Sequence, residues 1–190
     1  MDPLSESSHE RERVDKSHLP RLAPVAYRGL VPVHWTLTLE NRATGWLTPG
    51  FHSHFREILL HVCARYGLAC PVYVLMPDHM HLLWLGLGPE SDQRVAIEFA
   101  RKHLRPELAP AQWQHQVHDR VLRDNETLSG AFLAVANYIL QNPVRAGLVA
   151  RWQDHPFTGV CVAGYPDLDL RQEDYRGLFW RIHHRLIQPH

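Results

Sequence analysis

At 190 residues, with 45% apolar and 21% charged side chains, the chain is long enough for one ordinary domain with a buried core and too apolar for general disorder. Lys plus Arg and Asp plus Glu stand at 20 each, so no whole-molecule charge draws it to nucleic acid, and only local patches and the 15 histidines remain to be read. Cys63, Cys70 and Cys161 are odd in number, lack C-x-x-C spacing and sit among apolar neighbours, which fits core thiols rather than a disulfide framework or a zinc knuckle.

Residues 1–24 are polar and charge-mixed, carry no apolar signal region and are expected to form a flexible arm. No later stretch approaches the ~20 apolar residues of a membrane span, so a soluble, cytoplasmic protein is expected. The domain itself is expected over 25–150, with an extension over 151–190 that packs back on it. VHWTLTL, from Val33, alternates with β-branched residues as a strand does, and GWLTPG is a loop signature. A helix follows from about His52 to Tyr66, with Phe55, Ile58, Leu59, Val62 and Cys63 on one stripe and Gly67 as its stop. ACPVYVLM and HMHLLWLGL then flank a Pro77-Asp78 turn as two strands, apolar at nearly every position.

A second helix runs from about Asp92 to Leu104, starting at a Ser91 or Asp92 cap and stopping before Pro106, and HQVHDRVL supplies a further strand. Asp124 or Asn125 caps a long helix from about Glu126 to Gln141. Leu128, Phe132, Val135 and Ile139 form its core stripe, and Pro143 disfavours helical geometry at Asn142. Beyond Trp152, a last amphipathic segment repeats Tyr175, Leu178, Phe179, Ile182 and Leu186 at helical spacing. The order β-α-β-β-α-β-α is the split βαβ pattern. The expected fold is α+β and ferredoxin-like (RRM-like): an antiparallel sheet with helices on one face, plus an added helix and a C-terminal tail.

Two constellations carry chemistry. In MPDHMHLLW, His79 and His81 lie two apart in a strand and point to the same face, as a bidentate metal site requires, while Met80, Leu82 and Trp84 occupy the other. Taken alone, a half-buried pair satisfied by backbone or water explains them better. In NYILQNPVRAGLV, Tyr138 lies off the core stripe, and Asn142 stands one helical turn on at i+4, so that a phenol and an amide share a face. By spacing alone, Tyr138 is more readily a rim tyrosine, Asn142 a helix-end cap and Arg145 an exposed turn residue. From Arg94 to Arg123 basic residues outnumber acidic ones, a pattern shared by solvated helix faces and nucleic-acid patches.

Together these two stretches resemble the single-tyrosine HUH transposases, and within them the repetitive-extragenic-palindrome (REP)-associated tyrosine transposases, over roughly residues 25 to 160. The resemblance implies His79 and His81 as metal ligands, Asn142 as the group completing the metal site, Mg²⁺ or Mn²⁺ as the ion, and Tyr138 as the nucleophile. It further implies cleavage and rejoining of single-stranded DNA at hairpin-forming repeats through a 5′-phosphotyrosine. A phenol has a pKa of about 10, so its proton needs help to leave.

Arg94, Arg101, Lys102 and Arg105, then Arg120 and Arg123, and Arg145 are the candidate phosphate contacts. A host-adopted module that binds DNA or RNA hairpins without cutting is the competing reading, but it has no need of all four site residues. A two-histidine phosphoesterase would want two separated motifs. A monomer in the nucleoid is expected, with the exchanged-helix dimer of insertion-sequence relatives as the alternative.

Overall fold

The computed structural model describes residues 22–122 and 128–188. One antiparallel sheet holds β1 (Pro32–Thr38), β2 (Leu68–Leu75), β3 (His79–Gly86), β4 (His118–Val121) and β5 (Thr158–Val162), in the spatial order β4-β1-β3-β2-β5. Helix α1 (Pro49–Tyr66) connects β1 to β2 and α2 (Gln93–Leu108) connects β3 to β4. These six elements are the split βαβ arrangement of an α+β, ferredoxin-like fold. After β4 come α3 (Leu128–Leu140), the single turn α4 (Asn142–Arg145), and α5 (Tyr175–Leu186) beyond β5.

Alternation along the strands sends Trp35, Leu37, Met80, Leu82 and Trp84 into one apolar layer, which they share with Phe55 and Leu59 of α1 and Ile97 and Leu104 of α2. Leu83, Leu85, Val72 and Val74 enter a second layer with Phe132, Val135 and Ile139 of α3 and Phe179 and Ile182 of α5. This is why β2 and β3 are apolar on almost every residue: both of their faces are covered. His79 and His81 share the parity of Leu83 and therefore belong to the α3 side.

Local chemistry sets the helix ends. Thr48 accepts a hydrogen bond from Phe51 N at 3.1 Å and Pro49 takes the first helical position, so α1 starts a turn earlier than its apolar stripe. Gly67, at φ 60°, closes it. The Asp92 carboxylate caps α2 by accepting from Arg94 N and Val95 N. Contrary to the expected stop before Pro106, α2 runs on to Leu108: the proline forfeits one N–H, but buried Leu104 and Leu108 hold the last turn against the sheet. Pro143 also acts differently from expectation. It follows Asn142 at the start of α4, where a missing N–H is not needed, so Asn142 is helical and the helical path resumes after Gln141. The expected cap at Asp124 or Asn125 lies outside the described residues, as do Arg123 and all but the last three residues of the expected arm.

β2 carries Pro71 in mid-strand. The register shifts between Ala69 and Val72 on one side and between Cys70 and Tyr73 on the other, so neither neighbour needs an N–H from it. Tyr175 Oη at the head of α5 donates to the Pro71 carbonyl, which ties that helix to the irregularity. At the end of β3, Gly86 lies so close to the Gly29 backbone that a Cβ would run into the Gly29 carbonyl. Gly86→Ala should therefore cost about 3 kcal/mol, the upper end for overpacking, read as a lower urea midpoint with unchanged slope. No helix among the described residues is long and apolar enough to cross a membrane.

Candidate active site

At the start of β3 the Nε2 atoms of His79 and His81 stand 3.1 Å apart. His79 Nδ1 is 2.6 Å from Asp78 Oδ1, so a neutral ring donates Nδ1–H to the carboxylate and keeps Nε2 bare. Arg42 Nη1 donates to the other Asp78 oxygen at 3.0 Å. Burial works to raise the Asp78 carboxyl, but hydrogen bonding and charge from His79 and Arg42 together hold it below the usual carboxylate range. Asp78, which reads in the sequence as a turn residue, orients His79.

His81 is buried, and its Nδ1 lies 3.0 Å from His34 Nε2 and 3.1 Å from Thr36 Oγ1, both on β1. Burial first, then the charges of His34, His79 and Arg145, push its pKa down to about 2, with the Asn142 side chain pulling weakly the other way. The ring is neutral at any ordinary pH. His34 and Thr36 are absent from the set picked out in the sequence. Their signal is the polar side of VHWTLTL: alternation puts both on one face, and the ferredoxin-like order sets β1 beside β3, opposite His81.

The second half of the site comes from α3 and α4. Tyr138 is half-exposed, with its ring centroid 6.0 Å from those of both His34 and His81. Asn142 Nδ2 donates to the carbonyls of Tyr138 and Ile139 at 3.0 and 3.2 Å, which leaves Oδ1 as its available acceptor. Arg145 Nη2 donates to the same Tyr138 carbonyl at 2.9 Å, and its guanidinium lies 4.3 Å from the Tyr138 ring centroid. The helical path through Gln141 brings the side chains of Asn142 and Arg145 onto the Tyr138 carbonyl.

The donor set fits a divalent cation. Two bare imidazole nitrogens 3.1 Å apart repel one another unless a proton or a cation lies between them, and the span matches two donors each about 2.1 Å from one ion. Among the described residues no three His, Cys, Asp or Glu side chains converge on such a point, and Asn142 Oδ1 is the candidate third donor.

The buried histidines make stability depend on pH. Burial is the main cause in each case: His34 is lowered to about 4 with help from Arg120, His52 to about 4 with help from Arg56 and His155, and His183 to about 4 with help from His184. The unfolded chain, at about 6.5, takes up these protons first, so stability is fully present above pH 6.5 and falls as pH drops toward 4. Urea midpoints at pH 7.5, 6 and 5 should decline in that order.

No family model matches the chain. A Haemophilus influenzae protein named as a REP-associated tyrosine transposase is 26% identical over 141 residues, covering 65% of this chain and 76% of that protein. A solved structure of a REP-associated tyrosine transposase bound to a REP hairpin matches with a TM-score of 0.62 at 23% identity, over 75% of this chain and 81% of that chain. The chain is similar in sequence and in fold to REP-associated tyrosine transposases. A bacterial tRNA(His) guanylyltransferase-like protein in complex with GTP matches at a TM-score of 0.45 with 12% identity, over 86% of this chain and 95% of that chain.

By their place in the structure the candidate residues fall into two groups. His79, His81, Tyr138, Asn142 and Arg145 come together. Arg120, on β4, pairs with His34 of β1 and is close enough to disfavour its charging. Arg101, Lys102 and Arg105 instead line a groove of about 860 Å³ beside α2, on the opposite side of the sheet. Arg94 lies over the Tyr27 ring at 6.0 Å, also on the α2 side.

Proposed function

We propose that the chain is a metal-dependent single-stranded DNA endonuclease and strand transferase acting at hairpin-forming palindromic repeats. The observation that carries the reading is a half-exposed tyrosine, Tyr138, standing against a histidine pair whose Nε2 atoms converge. His79, His81 and Asn142 would hold Mg²⁺ or Mn²⁺. Such an ion, when bound, polarises a non-bridging phosphate oxygen and offsets the charge that develops there.

Tyr138 Oη attacks phosphorus in line and gives its proton to solvent, while the bond to the 3′ oxygen breaks and that oxygen takes a proton from solvent. The products are a 5′-phosphotyrosine and a free 3′-OH, and attack by another 3′-OH reverses the step. Arg145, fixed on the Tyr138 carbonyl and stacked on its ring, holds the nucleophile and offers its remaining N–H groups to the phosphate. Arg120 extends this basic edge, so binding should weaken steeply with salt. The hairpin in the related structure supports hairpin DNA as the partner. A working monomer is part of this reading, testable by light scattering.

Incubation of hairpin-bearing single-stranded oligonucleotides with the protein and Mg²⁺ or Mn²⁺, followed by denaturing gels, should give a covalent protein–DNA band that chelator removes. Tight hairpin binding with no adduct under any metal would favour the non-cutting module instead.

A further inference from the structure

A neutral imidazole has one N–H and one bare nitrogen, so in a line of contacting rings the state of each dictates the next. The site contains such a line: Asp78 Oδ1 to His79 Nδ1 at 2.6 Å, His79 Nε2 to His81 Nε2 at 3.1 Å, and His81 Nδ1 to His34 Nε2 at 3.0 Å. With His79 neutral and its N–H on the carboxylate, its bare Nε2 needs a donor. His81 then carries its proton on Nε2, and its bare Nδ1 accepts from His34 Nε2–H, with Thr36 Oγ1 as a second neighbour at 3.1 Å. A cation shared by the two Nε2 atoms demands the opposite arrangement. His81 Nε2 must be bare, its proton must sit on Nδ1, and His34 must accept that proton through a bare Nε2.

We infer that His34 is a positioning residue that sets the tautomer of His81, and that loading of the divalent cation switches both rings from the Nε2–H to the Nδ1–H form. The inference rests on the metal reading proposed above. The proton count balances. His81 gives up its Nε2 proton to water and takes the proton of His34 Nε2 at Nδ1, and His34 takes a proton from water at its own Nδ1. Each ring ends with the single proton it began with, so no net proton is released. Burial makes His34 matter, because His81 is only 4% exposed and water cannot readily stand in at its Nδ1.

Long-range ¹H–¹⁵N spectra of the metal-free protein should show His34 and His81 as Nε2–H tautomers and His79 as Nδ1–H. On addition of Mg²⁺, His34 and His81 should both become Nδ1–H while His79 stays unchanged. Mn²⁺ binding, followed by electron paramagnetic resonance, should weaken about 10–100-fold in His34→Leu. It should stay near wild type in His34→Gln, whose amide can donate or accept at the same place.

A His34 tautomer that ignores Mg²⁺ while that of His81 changes would overturn the inference. So would His34→Leu binding Mn²⁺ like wild type when His81→Ala does not. If His81→Ala itself binds Mn²⁺ like wild type, the metal reading fails and takes the inference with it. Should His34→Leu not fold, judged by circular dichroism, the wild-type spectra alone decide.

Discussion

Tyr138→Phe should eliminate the proposed covalent protein–DNA adduct and lower strand cleavage by at least about a thousandfold, while hairpin affinity should stay at the wild-type level. Only the phenolic oxygen is lost. The ring that Arg145 covers at 4.3 Å remains, and so do its edge contacts with His34 and His81. Tyr138 is half-exposed, so stability should shift by no more than about 0.5 kcal/mol. Denaturing gels for the adduct, filter binding for the hairpin and a urea curve for the fold separate these effects. Equal cleavage by the phenylalanine protein would mean that water, not tyrosine, is the nucleophile.

His81→Ala should remove metal-supported cleavage to the same extent and weaken Mn²⁺ binding by at least about a hundredfold, because a two-nitrogen chelate becomes a single donor. This variant differs from the tyrosine variant in a second measurement. The fold holds the His81 ring neutral down to about pH 2, mainly by burying it, so the side chain draws stability away as pH falls below its unfolded value near 6.5. Without it, the urea midpoint should decline less between pH 7.5 and pH 5 than it does in the wild type. Unimpaired cleavage in the presence of metal would remove His81 from the site.

What could be read in the sequence was what depends on short-range geometry. His79 and His81 share a face because strands repeat every two residues, and Tyr138 and Asn142 share one because helices return after four. His34 escaped because its meaning is non-local: only when β1 lies beside β3 does its ring meet His81. β5 escaped for a different reason. TGVCV is short and carries Gly159, which is there because a Cβ would strike the Tyr73 ring and not because a strand favours glycine. The basic run from Arg94 to Arg123 has no face until α2 is packed. Packing then sends Arg101, Lys102 and Arg105 to one side of the sheet and leaves Arg120 near the other's histidines.

The sheet carries two separate apolar layers, and the proposed chemistry belongs to one of them. α1 and α2 close the first layer, whereas the phenol, the amide and the guanidinium ride on α3 and α4, and α3 closes the second layer together with α5. The two layers lie on opposite faces of shared strands, so they need not open together. Lifting α3 would separate Tyr138 from the histidines and leave β1, β2 and β3 still clamped under α1 and α2. The proposed competence to cut would then belong to one layer, so that such a protein could lose its reaction while the other layer stays folded.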